Sequence, residues 1–285
     1  MPVVDCVYER GQFFLPLALN GSAPHYFIFD TGAGVSAVDI TLAAELKLPT
    51  IAHTELLGTA GMIEVDQARI ACTTPLSRGR GVTELAWDGL LPTTQDLSAF
   101  HVPVAGAREA GLLGNDYLQS FVVQLRFSPP LVEISRPMGF SPAGADPTRY
   151  IPFFLDGASI VRMSGVLDGW LQAPLRLDTG SATMTIDGPY LNVTTSLWRA
   201  LRERHPEYEV HDELKANAIG GELRLQVARI SSLDVGPLHF DRPSVVIQPA
   251  VGYFASPDAV GFIALNLFAP GGWLTLDYPS GRLYL

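Results

Sequence analysis

The stretch Phe27-Ile-Phe-Asp30-Thr-Gly-Ala33 is an apolar run of strand character that ends in an acidic, glycine-bearing turn. It returns later in the chain as Leu175-Arg-Leu-Asp178-Thr-Gly-Ser181. Working outward, Asn20-Gly21 and Asp168-Gly169 stand at the same distance before the two Asp-Thr-Gly motifs. Both dipeptides favour the type I′ turn of a tight hairpin. Gly61-Met-Ile-Glu-Val-Asp-Gln-Ala-Arg-Ile70 then lies over Gly221-Glu-Leu-Arg-Leu-Gln-Val-Ala-Arg-Ile230 without a gap. Each half closes on a third block, Gly111-Leu-Leu-Gly114 in one and Gly261-Phe-Ile-Ala264 in the other. Three blocks in one order at similar separations point to an internal duplication.

Between the halves, Arg136 to Thr148 has the Pro, Gly, Ala and Ser content of a linker. The boundary is expected near residue 140, giving units 1–140 and 141–285. Most of the chain reads as short strands between Gly, Pro, Asn and Asp turns, so a mainly β protein is expected. Helical patches are few. Val38 to Leu48, with Asp39 or Thr41 as N-cap and Pro49 as stop, is one, and Thr195 to Arg204 is the other. The segment from Trp87 to Phe100 fits neither pattern and reads as an insertion near a cleft.

Composition narrows the function. A hydrophobic fraction of 47% with 17% charged residues describes a globular chain, and no apolar run has the length of a spanning helix. A net charge of −10 disfavours nucleic acid as a partner, since phosphates are met by basic patches. The six histidines show no ligand spacing, so neither a metal nor another cofactor is expected. Cys6 and Cys72 make no disulfide framework and are expected as free thiols. The N-terminal Met-Pro-Val-Val-Asp-Cys has no basic region or long apolar segment. No signal peptide is therefore expected, and a cytoplasmic location is the default.

The repeated aspartate carries the chemistry. Amide hydrolysis needs a base for the attacking water and an acid for the departing amine. Two carboxylates held close together cannot both ionise cheaply, so they share one proton and supply both functions; this is the established behaviour of such pairs. Glycine after Asp-Thr permits close backbone approach, and the threonine hydroxyl can both donate and accept.

These motifs resemble the retropepsin-type aspartic proteases, in a duplicated single-chain form. The resemblance implies a bilobal acid-protease fold of two pseudo-twofold-related, β-barrel-like lobes. It further implies an endopeptidase with Asp30 and Asp178 as the dyad, acting on a peptide or protein as a monomeric pseudo-dimer. Thr31, Gly32 and Ala33, with Thr179, Gly180 and Ser181, would form the supporting loops. Gly61 in one half and Ile219, Gly220 and Gly221 in the other would form flaps over the substrate. Two departures stand out: Ala264 takes the place of Gly114, and Ser181 faces Ala33. A Ser181 hydroxyl bonded to Asp178 would favour the charge there and the proton on Asp30. A non-catalytic peptide-binding module is the alternative; retention of both aspartates weighs against it.

Overall fold

The computed structural model describes residues 2–79, 85–100, 103–137, 148–182 and 186–285. It is mainly β, with two large sheets and few short helices, as the sequence leads one to expect. The first sheet runs, in spatial order, Trp87–Leu90, Ile70–Pro75, Gln12–Leu19, His25–Phe29, Ala107–Leu113, Ala37–Asp39, Thr93–Gln95, Met62–Ala68 and Thr50–Leu57. The second runs Leu238–Asp241, Ser232–Val235, Val161–Leu167, Leu171–Leu177, Gly261–Ile263, Tyr190–Thr194, Ser244–Gln248, Gly221–Arg229 and Val210–Ala218. The two orders correspond strand for strand. Even the senses agree: His25–Phe29 pairs parallel with Ala107–Leu113, and Leu171–Leu177 pairs parallel with Gly261–Ile263.

A third sheet joins the lobes. Val122–Phe127 pairs antiparallel with Trp273–Asp277, and strands from both ends of the chain flank that pair. Leu125, Leu274 and Leu276 are fully buried there, in one continuous core with Phe13, Phe29, Leu175 and Leu177. The boundary expected near residue 140 lies outside the described residues.

The hydrophobic pattern explains the register. Phe27, Ile28 and Phe29 are all buried, because this strand is covered on both faces. Gly111 and Gly261 allow it to be flanked closely. A methyl on Gly111 would meet Ala37 O at 2.1 Å, and one on Gly261 would meet Asn192 O at 2.4 Å.

Local expectations are adjusted in two places. The first helix, α1, covers Ile40–Glu45 and not Val38 to Leu48. Ala37–Asp39 is drawn into the sheet between two partners, and Asp39 caps the helix by accepting from Thr41 N–H at 2.9 Å. The stretch from Trp87 to Phe100 is no insertion. Trp87–Leu90 and Thr93–Gln95 are regular strands with counterparts in the other lobe; Gly89 and Pro92 make them too short to show alternation in sequence. Thr195–Arg204 is helical as expected (α2), capped by Thr194. Cys6 and Cys72 are free. Among the described residues no helix is long and apolar enough to cross a membrane.

Candidate active site

Each Asp-Thr-Gly loop leaves the end of the central strand of its own sheet, Asp30 N–H bonding Leu113 O and Asp178 N–H bonding Ile263 O. The loops meet across the lobes through their threonines. Thr31 N–H donates to Thr179 Oγ1 at 3.0 Å and Thr179 N–H to Thr31 Oγ1 at 3.2 Å. The hydroxyls pass the bonds on, Thr31 Oγ1 to Leu177 O at 2.8 Å and Thr179 Oγ1 to Phe29 O at 2.6 Å. Both threonines are fully buried. Every polar atom in this crossing has a partner, so it specifies one geometry.

The crossing brings Asp30 and Asp178 together, each carboxyl against the glycine of the opposite loop. Asp30 is buried; Asp178 keeps some access to the cleft. Burial pushes both carboxyls above the usual carboxylate range, and the charge of Asp30 pushes Asp178 further. A pair in this state retains one proton into the neutral range. Gly32 and Gly180 face the opposite aspartates: a methyl on Gly180 would lie 2.4 Å from Asp30 Cγ. Gln12 Nε2 donates to Gly180 O beside the second loop.

The hydroxyl of Ser181 does not act as the sequence suggests. It is the main-chain N–H of Ser181 that donates to Asp178 Oδ1, at 2.9 Å, a bond alanine can make equally well. Asp30 Oδ1 accepts from Gly32 N–H at 2.8 Å, as Asp178 Oδ1 accepts from Ser181 N–H. With one main-chain donor on each carboxylate, these bonds give Asp178 no preference for the charge over Asp30.

Ala264 is explained by the loops beneath it. A methyl on Gly114 would meet Ala33 O at 2.8 Å and the Val35 carbonyl carbon at 2.9 Å. In the second lobe the strand after Asp178 begins only at Tyr190, against Ala37 after Asp30, and Ala264 packs instead with Tyr190, Leu223, Leu225 and Val246.

Several braces escaped sequence reasoning. Asn115 Nδ2 donates to Thr31 O at 2.8 Å, and Tyr278 Oη, from the far end of the chain, donates to Asn115 Oδ1 at 2.7 Å. Ser36 Oγ accepts from Gly114 N–H and donates to Asp116 Oδ1 at 2.6 Å. Leu265 and Leu191, both fully buried, stand in the corresponding places of the second lobe. The asymmetry Asn115/Leu265 within the aligned third block is the one signal that could have marked the first brace. Arg176 is another surprise. It takes the register position of Ile28, donates to Asp156 Oδ2 at 2.7 and 2.9 Å, and lies 4.2 Å from the Tyr253 ring centroid.

Two hairpins approach one another from opposite lobes: Thr50–Leu57 with Met62–Ala68, and Val210–Ala218 with Gly221–Arg229. Their tips touch. Ala60 N–H donates to Ile219 O at 2.9 Å, and a methyl on Gly220 would strike Gly61 N at 2.4 Å. Gly220 (φ +99°) and Gly221 (φ +141°) occupy backbone conformations that suit only glycine. Gly61, Ile219, Gly220 and Gly221 therefore come together over the same side of the molecule.

No family model matches the chain. No curated protein matches it either. Among solved structures it is similar to a retropepsin-like aspartic protease from Rickettsia conorii, at 10% identity and a TM-score of 0.33, over 48% of this chain and 89% of that one. The functional reading therefore rests on the geometry of this chain's own residues.

Proposed function

We propose that this chain is an aspartic endopeptidase that hydrolyses peptide bonds at the interface of its two lobes, with residues 1–140 and 141–285 as the lobes of one duplicated unit. The observation that carries the reading is the threonine crossing, which sets each of Asp30 and Asp178 against the glycine of the opposite loop, where burial raises both carboxyls. In this reading the ionised member takes a proton from the attacking water while the protonated member donates to the scissile carbonyl. The tetrahedral intermediate then collapses as the dyad returns a proton to the amine. The crossing fixes both carboxylates before substrate arrives, so no reorganisation is needed at the moment of reaction. The two hairpins would close over an extended peptide and offer it main-chain hydrogen bonds, as an added strand. Arg176, held by Asp156 and Tyr253, would give the second lobe a polar wall where the first has Ile28.

The test compares wild type with Asp30→Asn and Asp178→Asn on a peptide library, from about pH 3 to 7, the range of carboxylate titration. Cleavage by the wild type alone is expected. Activity retained in either variant overturns the shared-dyad mechanism.

A further inference from the structure

Glu109 has no place in the chemistry described so far. It is 1% exposed, and among the described residues neither carboxylate oxygen has a hydrogen-bond partner. An ionisable side chain in that condition costs free energy, so an unfilled role is indicated. Its orientation follows from the strand register. Glu109 pairs with Tyr26 and Leu112 with Ile28, and the bulge between Glu109 and Gly111 puts Glu109 on the same face as Leu112. Leu112 pairs with Ala37, Asp39 follows on that face, and Asp39 pairs with Gln95. Glu109, Asp39 and Gln95 thus share one face of three adjacent strands. Glu109 is near enough to Asp30 and Asp39 for both charges to act on it.

Gln95 makes the second, independent observation. It is 6% exposed, its Nε2 donates to Thr93 Oγ1 at 2.7 Å, and its Oε1 accepts from nothing. Gln95 lines a cavity of about 970 Å³ between the first hairpin, the segment through Phe100 and the tip of the second hairpin. Glu55, Glu64, Asp66, Asp96 and Glu222 line it too, Asp66 paired with His53 at 2.5 Å and Glu222 with Lys215 at 3.2 Å, and among the described residues that line it there is no lysine or arginine. The unused acceptor Gln95 Oε1 at the wall and the carboxylates around it call for a cationic donor, while Asp39 and Glu109 stand next to Gln95 along the same sheet face. The second lobe repeats the strands but not the charges: Gln248 recurs in the place of Gln95, while Thr194 stands for Asp39 and Ala259 precedes Gly261 where Glu109 precedes Gly111. Among the described residues no group of three or more His, Cys, Asp or Glu is arranged to hold a metal ion.

We propose that this first-lobe cavity is a specificity subsite that takes a lysine or arginine side chain of the bound peptide, its charge meeting Gln95 Oε1 at the cavity wall, with the carboxylates of Asp39 and Glu109 next along the same sheet face adding their attraction. The assignment rests on the endopeptidase reading and narrows its substrates to peptides with a basic residue at one fixed position. Arginine fits best, because its fork of donors can serve several acceptors at once. Selection is one-sided, since only this lobe carries the two acids. The chain's net charge of −10 adds attraction for basic segments at longer range.

The experiment has two arms. In the first, one peptide frame carries arginine, lysine or uncharged norleucine at successive positions, and kcat/KM is measured with wild type and Glu109→Gln. In the second, calorimetry measures binding of the same peptides to full-length Asp178→Asn, with and without Glu109→Gln. At one position the cationic peptides are expected to exceed norleucine roughly 30-fold or more in both readouts, the scale of a buried charge pair, and Glu109→Gln removes most of that ratio. Melting curves establish that the variant folds, with Glu109→Leu as the second variant should glutamine fail. Cleavage with no positional preference for a cation overturns the subsite and leaves the peptidase reading standing. Selective binding without cleavage of any peptide does the reverse. A preference that survives in Glu109→Gln overturns the role given to this residue.

Discussion

Gly32 presents its bare Cα to the carboxylate of Asp178, so that a methyl added there would lie 2.5 Å from both Cγ and Oδ1. Each loop thus holds its own aspartate and makes room for the other one. Gly32→Ala or Gly180→Ala forces the two carboxyls apart. A misplacement on the order of 1 Å in a reacting group costs about 10²-fold. A loss of kcat of at least that size is expected in peptide cleavage, with KM changed little, and a variant of near-normal kcat would refute the packing argument.

The threonine crossing is as much a matter of stability as of geometry. Thr31→Val and Thr179→Val each keep the volume but leave buried main-chain groups without partners, at a cost of about 1–3 kcal/mol apiece. Because each hydroxyl serves the other loop, the double variant should cost less than the sum of the singles. Urea denaturation of the four proteins measures this, and strict additivity would mean that the two loops are independent.

Ser181→Ala is expected to leave the pH–rate profile where it is, since the bond to Asp178 comes from the main chain. A displaced acidic limb would restore a role for the hydroxyl.

Stability should fall as pH rises through the neutral range. Burial, with the charges of Asp30 and Asp39 behind it, pushes Glu109 from 4.5 up to about 8. Between those two values the folded chain holds a proton that the unfolded chain has released, and stability drops with increasing pH wherever that is so. The raised carboxyls of the dyad act in the same direction. Melting temperatures taken from pH 5 to 8, in buffers of equal ionic strength, should decline, and Glu109→Gln should flatten the slope. A flat wild-type profile would count against a neutral Glu109.

Gly114 and Ala264 occupy corresponding places, yet the substitutions that exchange them should not behave alike. Gly114→Ala drives a methyl into Ala33 O and Val35 and should impair both folding and cleavage. Ala264→Gly removes one buried methyl, a loss of about 1 kcal/mol. Paired melting and activity measurements decide the matter, and equal effects would contradict the difference in loop length.

What the sequence made legible was whatever repeats. The two Asp-Thr-Gly motifs, the glycine-bearing hairpins and the closing blocks are short local patterns, and their recurrence supplied the two-lobed plan. Features that depend on distant partners were hidden. Asn115 has meaning only once Tyr278, from the opposite terminus, bonds to it. Glu109 reads in sequence as one more charged residue, and a single bulge decides that it turns inward. Arg176 lay in plain view within an apolar strand, but nothing local announces that Asp156 and Tyr253 will enclose it. The Ser181 expectation failed for a related reason: a residue type fixes which donors exist, while the backbone decides which of them reaches the carboxylate.

The sheet shared by both lobes has a mechanical corollary. Val122–Phe127 and Trp273–Asp277 are zipped along five residue pairs, with strands of each half on either side. Such a base resists shear and cannot act as a hinge without breaking its ladder. In the endopeptidase reading, passage of a peptide then falls to the hairpin tips, where Ala60 N–H donates to Ile219 O. In that reading the chain divides into a rigid floor and a releasable clasp, and the rate at which that clasp parts would set an upper limit on turnover.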